Sequence, residues 1–511
     1  MTEVSFKNKS IITLDDLTRG EIMHLVKKAN DMIAEERNGN RHMHVLQNKT
    51  LGPFFAQEST RTKGSFIMAM KELGGTNYSF HAAGSSLSKN ESVFYTVQMF
   101  HAHHVDAIAM RHYFDGSVQF AADVSKLPVI NAGDGKNWHP TQSLLDILTI
   151  YQLRDSKLDN LKLGLSGDLK YGRTVHSLPL GLSKFDNLEI HIGAPELLMM
   201  PNYMIENLKN NGVKVVLHDN IVDLLKNVDI HYHTRPQFNI MKDDPNAPSE
   251  SEIKTAFHDW RITIGVVNKV GESNLPYIMH PLPIDSKVSE IDIEVTFLPK
   301  QKYLYQAECG LFMRKALLKE ILGGTNYIKF NGDMSFMSDL YDSNHIQRII
   351  KNGEGPRETN PGDISPICYG MVIDHLDPGS IDKIKSDLGL DNQRINNTSR
   401  ANADSPGNKP KGIVFVNDYY LTDKEMKQIA KISPNATFNV IRGGTIVEKF
   451  VYATCSNDNC ISNQIFEEVP IIFENRGNTP SCHYCRKPSD TQYDRITPKE
   501  MQTFIETLAI K

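Results

Sequence analysis

Ser59-Thr60-Arg61-Thr62 runs through Lys63 into Gly64-Ser65-Phe66, placing three hydroxyls and a guanidinium in four consecutive residues ahead of an apolar periodic run at Phe66, Ile67, Met70 and Leu73. If the run from Thr62 onward is a helix, its first backbone N–H groups have no partner within the helix and point where the side chains point, and the helix dipole favours an anion there. The plainer reading is a Ser- or Thr-capped helix with a solvated arginine. A short apolar strand, Leu51 to Phe55, precedes the segment, so strand, polar turn and helix open an α/β unit.

The same style continues outward. Helix-like runs over Asp15–Glu36, Arg61–Leu73 and Ser92–His101 alternate with short apolar strands over Asp106–Met110 and Pro128–Asn131, as in a parallel sheet covered by helices. Residues 151 to about 300 repeat the pattern, with strands at Leu161–Gly167, Leu188–Ile192, Val213–Leu217 and Val228–Tyr232. A helix-like segment, Leu311–Leu318, ends before Gly323-Gly324. Lys351–Gly362 is polar and rich in breakers, and residues 326–362 read as a linker. A further α+β region opens at Tyr369–Leu376 and includes Gly412–Val416 and a helix from about Thr422 to Ile432. Asp391–Lys411 is almost wholly polar and reads as a mobile loop. The expected division is 1–150 and 151–305 for two doubly wound parallel-sheet domains, with a helix at about 306–325 returning to the first. Residues 363–451 then form an α+β domain and 452–511 a small β domain.

A chain of 511 residues calls for several domains. With 56 Lys+Arg against 61 Asp+Glu and a formal charge of −5, the overall balance points to neither a nucleic-acid nor a membrane partner, so anion recognition has to be local. The N-terminal residues lack an apolar signal segment, and no uninterrupted apolar stretch is long enough to span a bilayer, which makes the cytoplasm the expected location. Six cysteines are too few for a disulfide-stapled scaffold of this length.

Further polar groups fall where strands of such sheets end. Ala82–Ser92 is a small-residue loop carrying Ser85 and one cation, Lys89. Arg111 closes one strand and His139-Pro140-Thr141-Gln142 opens a helix, although a surface arginine and a capped helix start account for them equally well in isolation. Gly167–Thr174 and His233–Gln237 each supply an arginine, Arg173 and Arg235, able to fork onto a carboxylate, and two such groups suit a dicarboxylate. Met279-His280-Pro281-Leu282-Pro283 forms a stiff turn whose carbonyls can accept from an amide NH2.

In this order the segments resemble the aspartate carbamoyltransferase catalytic chain over roughly residues 5 to 325. The resemblance implies that Ser59, Thr60, Arg61 and Thr62 bind the phosphate of carbamoyl phosphate, helped by Ser85 and Lys89 from a neighbouring subunit, and hence a trimer with shared active sites or a higher assembly. It implies that Thr62, Arg111 and His139 polarise the carbamoyl carbonyl, and that Gln142 with the carbonyls of Pro281 and Leu282 holds its NH2. It assigns Lys89, Arg173, Arg235 and Gln237 to the L-aspartate carboxylates, and the pathway to pyrimidine biosynthesis. Arg61, Thr62, Lys89, Arg111 and His139 are the expected catalytic set. Asn90 stands where that family usually has glycine, and Ile284 where arginine is common.

Four residues separate Cys455 from Cys460 and two separate Cys482 from Cys485, with 21 residues between the pairs, the spacing of a closed four-thiolate structural Zn2+ site. Cys309 and Cys368 read as inert core residues. Cys455–Ser462, Val372–His375 and Cys482–Cys485 resemble the regulatory chain of the same enzyme, ordinarily a separate polypeptide, which implies an α+β nucleotide-binding-type domain and a zinc domain fused to the catalytic half. ATP and CTP become candidate effectors, with Asp374, Lys411 and Lys449 as candidate contacts. Phe415 replaces the expected effector lysine, and Asn396–Arg400 the expected apolar strand, so a degenerate structural domain is an equal reading.

Three rivals remain. An ornithine-type carbamoyltransferase shares the phosphate cradle, but its His-Cys-Leu-Pro and Ser-Met-Gly motifs are absent here, and another amino-acid acceptor is a variant of the same reading. A non-catalytic zinc-ribbon binding protein would want a basic surface around the cysteines, where Asp458, Glu467, Glu468 and Glu474 lie instead. His101, His103 and His104 suggest a metal cluster but read better as the wet side of an amphipathic helix.

Overall fold

The computed structural model describes residues 4–39, 44–79, 91–241, 247–326, 328, 332, 334–337, 348–350, 369–388, 395–400, 411–442, 445–452, 454–464, 467, 469–476 and 479–488. The chain divides into two compact units, Met1–Asn331 and Gly332–Lys511.

The first unit opens with a 3-10 turn, Leu14–Asp16, and helix α1, Arg19–Arg37. The single helix expected from Asp15 is broken because Thr18 adopts an extended conformation and forms a capping box with Glu21, which starts the α-helix there. Strands β1 (Thr50–Phe55), β2 (Thr76–Asn77), β3 (Ala107–His112) and β4 (Val129–Asp134) form a parallel sheet in the order β2-β1-β3-β4. Pro53 is tolerated inside β1 because alternate residues bond to opposite neighbours: Asp106 N donates to Thr50 O on one side and Tyr78 N to Leu51 O on the other. The nitrogen of Pro53 therefore faces the β2 side, past the point where β2 ends. Helices α2 (Thr60–Glu72), α3 (Val93–Ala102), α4 (Ser117–Asp123) and α5 (Pro140–Leu153) complete this half.

The second sheet is also parallel. Its strands β5 (Lys162–Gly167), β6 (Glu189–Gly193), β7 (Lys214–Leu217), β8 (Ile230–Thr234) and β9 (Tyr277–Met279) lie in the order β7-β6-β5-β8-β9. The chain steps outward from β5 to β7 and then returns to the other flank of β5, so the turns after β5 and β8 leave the sheet where its winding reverses, the usual place for a ligand crevice. Helix α6, Arg173–Leu182, follows β5 directly, and α7 (Asn202–Asn210), α8 (Ile221–Lys226), α9 (Phe238–Met241), α10 (Glu250–Phe257) and α11 (Ile264–Val270) come after it in chain order. Helix α12, Tyr303–Leu322, begins eight residues before the expected Leu311 and packs on α1, α2 and α5. Its buried Lys315 reaches Glu36 at 2.7 Å and Glu72 at 3.0 Å, tying it to the ends of α1 and α2. Leu145, Leu148, Leu163, Leu178, Met313 and Leu317 belong to one continuous core spanning both sheets of this unit.

In the second unit β10 (Arg348–Ile350), β11 (Tyr369–Leu376), β12 (Ile395–Arg400), β13 (Lys411–Asn417), β14 (Thr437–Arg442) and β15 (Thr445–Tyr452) form an antiparallel sheet in the order β10-β15-β14-β11-β13-β12. Met371, Ile373, Val414, Val416, Phe438 and Phe450 form one apolar face, packed with Ile384, Met426 and Ile429 of helices Ile381–Leu388 and Asp423–Ile432. The polar run expected as a loop is in part a strand: Ile395–Arg400 pairs with β13 at the sheet's edge, where backbone pairing on one side suffices without apolar side chains. A two-stranded ribbon, β16 (Phe473–Arg476) and β17 (Thr479–Cys482), adjoins the cysteines.

His101 is a correction. It is buried at the end of α3, within 3.1 Å of the Ser125 hydroxyl, while His103 and His104 are exposed. It closes the helix against the following loop instead of facing water.

Candidate active site

A cleft of about 290 Å3 opens where the strand ends of the first unit's two sheets converge. The start of α2 supplies Ser59, Arg61, Thr62 and Ser65, and the end of β3 supplies Arg111. His139 and Gln142 come from the start of α5, Arg173 from α6, Arg235 and Gln237 from the turn after β8, and Pro281 and Leu282 from the turn after β9. Ser59 is the N-cap of α2 but makes no side-chain cap bond, contrary to the plainer expectation, so the first N–H groups of this thirteen-residue helix stay available to a ligand. Thr60 is exposed and is not among the residues lining the cleft. Ser85 and Lys89 lie outside the described residues, as does Asn90.

The cleft concentrates positive charge that the protein leaves largely unneutralised. Burial, then the charges of Arg173 and Arg61, push the Arg111 pKa well below the ordinary arginine value. Burial and the nearby charge of Arg235 lower that of Arg61. Arg173 is pushed down to about 10, chiefly by burial, with Asp134 and Asp115 opposing the shift. Arginine keeps its proton regardless, so these shifts express a cost that a bound polyanion would relieve. Arg111 spends one N–H on Ala132 O at 3.3 Å, and its buried Nε has no partner. Gly133, at φ +130°, makes room: a Cβ there would sit 2.9 Å from Arg111 Nη1 and 3.1 Å from Arg173 Nη1.

His139 is neutral. Burial and the surrounding charges of Arg111, Arg173 and Arg314 drive its pKa well below 6.5. A neutral imidazole among cations is suited to donate one N–H to an oxygen that is gaining negative charge.

Two turns are held from behind. Asp168, at the end of β5, accepts from Tyr171 N at 2.9 Å and Lys170 N at 3.2 Å through one oxygen, and from Gln237 N at 2.8 Å through the other, so one carboxylate joins the turn before Arg173 to the turn bearing Arg235. Gly167 lets these turns close, since a Cβ there would fall 2.0 Å from Thr234 O. Arg235 lies 3.8 Å from Asp285, and Gln237 Nε2 donates to Arg235 O at 3.0 Å. Leu282, at φ +53°, donates its N–H to His280 Nδ1 at 2.9 Å, which fixes the Pro281–Leu282 backbone, and the Leu282–Pro283 peptide is cis.

Asp168, Gln57 (which accepts from Arg173 at 3.0 Å), Gln306 and Arg314 are site residues that the sequence reading missed. An aspartate next to a strand-ending glycine was the available signal for Asp168. Gln306 and Arg314, on α12, carried none beyond their helical phase.

In the second unit Cys455, Cys460, Cys482 and Cys485 are all buried, with sulfurs within 4.8 Å of one another. The Cys455–Cys485 and Cys460–Cys482 distances are 3.4 and 3.7 Å. Tetrahedral thiolates about 2.3 Å from one ion would stand roughly 3.8 Å apart, so the four sulfurs fit a metal. Cys309 is buried in α12, and Cys368 lies outside the described residues. Asp374 pairs with His375, while Lys449 stands opposite Asn439 on β14; the Lys411 side chain lies outside the described residues.

This fold and cleft define a carbamoyltransferase. Residues 9–152 match the family described as aspartate/ornithine carbamoyltransferase, carbamoyl-P binding domain, and 159–321 its Asp/Orn binding domain. Residues 362–453 match the aspartate carbamoyltransferase regulatory chain, allosteric domain. Aspartate carbamoyltransferase catalytic subunit 2 of Shewanella halifaxensis is 38% identical over 62% of this chain and 96% of its own. The catalytic subunit of Methanopyrus kandleri is 38% identical over 63% and 99%. Among solved structures, aspartate transcarbamoylase from Trypanosoma cruzi in complex with carbamoyl phosphate and aspartate is 31% identical, with a TM-score of 0.56 over 62% of this chain and 96% of that one. The catalytic subunit of the Methanocaldococcus jannaschii enzyme is 36% identical, with a TM-score of 0.55 over 61% and 98%. The chain belongs to the aspartate carbamoyltransferase family and joins a catalytic region and a regulatory-type region in one polypeptide.

Proposed function

We propose that the cleft transfers the carbamoyl group of carbamoyl phosphate to the amine of L-aspartate, giving N-carbamoyl-L-aspartate and phosphate. The observation that carries this reading is the meeting of Arg61, Arg111, Arg173 and Arg235 around a neutral His139 and the free helix start at Ser59. A phosphate and two carboxylates match that many cations.

The amine attacks the carbamoyl carbon, a C–N bond forms, the carbon–oxygen bond to phosphate breaks, and the departing phosphate takes the amine proton. Thr62, Arg111 and His139 hold the oxygen that gains charge, each donor worth a few kcal/mol of barrier. Ser59, Arg61 and Thr62 receive the phosphate, with Thr60 contributing the backbone N–H of the first helical residue and Ser85 and Lys89 arriving from a neighbouring subunit of a trimer. Arg173, Arg235, Gln237 and that Lys89 hold the aspartate carboxylates, while Gln142, Pro281 and Leu282 hold the carbamoyl NH2. Positioning two substrates accounts for much of the rate. No side chain is assigned as general base.

In the second unit the four cysteines hold a structural Zn2+, which supplies folding energy and no open coordination position. The domain bounds given above, with Arg348–Ile350 moved from the expected linker into the α+β domain whose sheet it joins, a cytoplasmic location, and ATP or CTP binding near Asp374, Lys411 and Lys449 belong to the same reading. No helix among the described residues is long and apolar enough to cross a membrane. The test is product formation: phosphate release from carbamoyl phosphate must require aspartate and yield carbamoyl aspartate. Release that follows ornithine equally well would overturn the acceptor assignment.

A further inference from the structure

Beneath the cleft a buried carboxylate that the reaction does not consume gathers three donors. Asp146, one helical turn after Gln142 on α5, accepts from Gln142 Nε2 at 3.0 Å and Gln306 Nε2 at 2.6 Å through Oδ1. Its Oδ2 accepts from the Tyr232 hydroxyl at 2.9 Å. Asp146, Tyr232 and Gln306 are 0%, 0% and 1% exposed, so no water competes for these bonds. Burial pushes the Asp146 pKa up to about 7, and the bonds from Gln306, Tyr232 and Gln142 and then the charge of Arg314 oppose that rise.

The consequence is directional. A primary amide has one NH2 and one carbonyl, and Gln142 spends its NH2 on Asp146, which leaves Oε1 as its free end in a residue that lines the cleft. Gln306 does the same one step further: with its NH2 on Asp146, its Oε1 accepts the backbone N–H of His280 at 2.9 Å. His280 Nδ1 in turn accepts from Leu282 N, fixing the Pro281–Leu282 turn. A single carboxylate thereby sets the polarity of an amide on α5 and, through α12, the seat of the turn after β9.

We propose that Asp146 is a positioning residue which, directly through Gln142 and indirectly through Gln306, presents only acceptors to the NH2 of the donor substrate, and so makes the site select a carbamoyl phosphate over an acyl phosphate of the same shape. Acetyl phosphate replaces NH2 by CH3 and keeps the phosphate and carbonyl. A site built of aligned acceptors rejects it because buried acceptors are left unpaired. The inference rests on the carbamoyltransferase reading and on the place that reading gives Gln142.

The experiment compares the purified full-length chain with Asp146→Ala, Asp146→Asn, Gln306→Leu and Gln142→Ala. It measures KM and kcat for carbamoyl phosphate and inhibition constants for acetyl phosphate and inorganic phosphate. For Asp146→Ala and Gln306→Leu the carbamoyl phosphate requirement should rise about tenfold or more, as expected for loss of one oriented hydrogen bond, while both inhibition constants stay within about twofold. Asp146→Asn should keep the selectivity, because its oxygen accepts from both amides and its NH2 can donate to Tyr232. Equal weakening of carbamoyl phosphate and acetyl phosphate, or an unchanged ratio between them, overturns the proposal. If Asp146→Ala does not fold, Gln306→Leu decides by the same ratio. Gln142→Ala separates the two levels. An unchanged ratio there means that the underlying reading has failed, whereas a collapsed ratio there with normal ratios in the Asp146 and Gln306 variants removes only the positioning role.

Discussion

Arg111 of strand β3 and Arg173 of helix α6 approach the same empty side-chain position of Gly133: a Cβ there would stand 2.9 Å from the first guanidinium and 3.1 Å from the second. Two like charges brought together over a glycine form an arrangement that an anionic ligand, as proposed above, would stabilise.

Gly133→Ala should therefore act on both arginines at once, besides straining a backbone at φ +130°. A displacement of about 1 Å in such groups costs on the order of 100-fold in rate. Steady-state kcat/KM with a parallel thermal melt measures it, and a variant within threefold of the parent would contradict the crowding argument.

Arg61 and Arg235 should divide the substrates. Arg61→Ala should lower turnover roughly 1,000-fold while leaving the melt unchanged, since it removes a donor to the departing phosphate. Arg235→Ala should raise the aspartate requirement far more than that for carbamoyl phosphate. Saturation curves for each substrate check the pair, and the reverse order would rule out the assignment.

Asp168 predicts a pH dependence with two opposite signs. Burial raises its pKa from 3.8 to about 6, against hydrogen bonds from Tyr171, Gln237 and Lys170 that lower it. Because the folded protein binds this proton more tightly than the unfolded chain, the stabilisation is fully present below pH 3.8 and is lost as pH rises through about 6. Function runs the other way: protonation removes an acceptor from the turns of Arg173 and Arg235, so the aspartate KM should climb as pH falls below about 6. Asp168→Asn should flatten the stability profile and raise the aspartate KM at every pH, because its NH2 would face a backbone N–H. Melts and aspartate kinetics between pH 5 and 8 decide the matter.

A shared site predicts rescue in mixtures. Arg61→Ala and Lys89→Ala chains, each inactive alone, should regain measurable activity when dissociated and reassociated together, because some interfaces then combine two intact contributions. Persistent inactivity of the mixed oligomer would place Lys89 in its own chain's cleft.

Metal analysis should find one zinc per chain, and Cys460→Ser should lose it together with the cooperative unfolding of the C-terminal segment. Zinc-finger peptides draw roughly 10 to 16 kcal/mol from such an ion. Full metal retention by Cys460→Ser would exclude the four-thiolate site.

How much of this was legible in the sequence depends on how local the cause is. Both parallel sheets, the helix start at Ser59–Thr62 and the paired cysteines follow from periodicity, hydroxyl-rich turns and ligand spacing. The strand at Ile395–Arg400 did not, because an edge strand is held by its neighbour's backbone while its side chains look like a loop. His101 was misplaced because its helical phase gave no sign of the Ser125 loop that covers it. Asp146 and Gln306 are 160 residues apart and meet only when α12 returns to α5, so neither residue alone signals its role. Thr60 fitted the hydroxyl pattern, yet its position on the turn sends it to solvent.

Joining both regions in a single polypeptide has an outcome outside the cleft. Translation fixes their ratio at one to one whatever the expression level, so no surplus of either accumulates. Dilution that would disperse separate subunits leaves the tethered partner at an effective concentration on the order of millimolar where linker length permits.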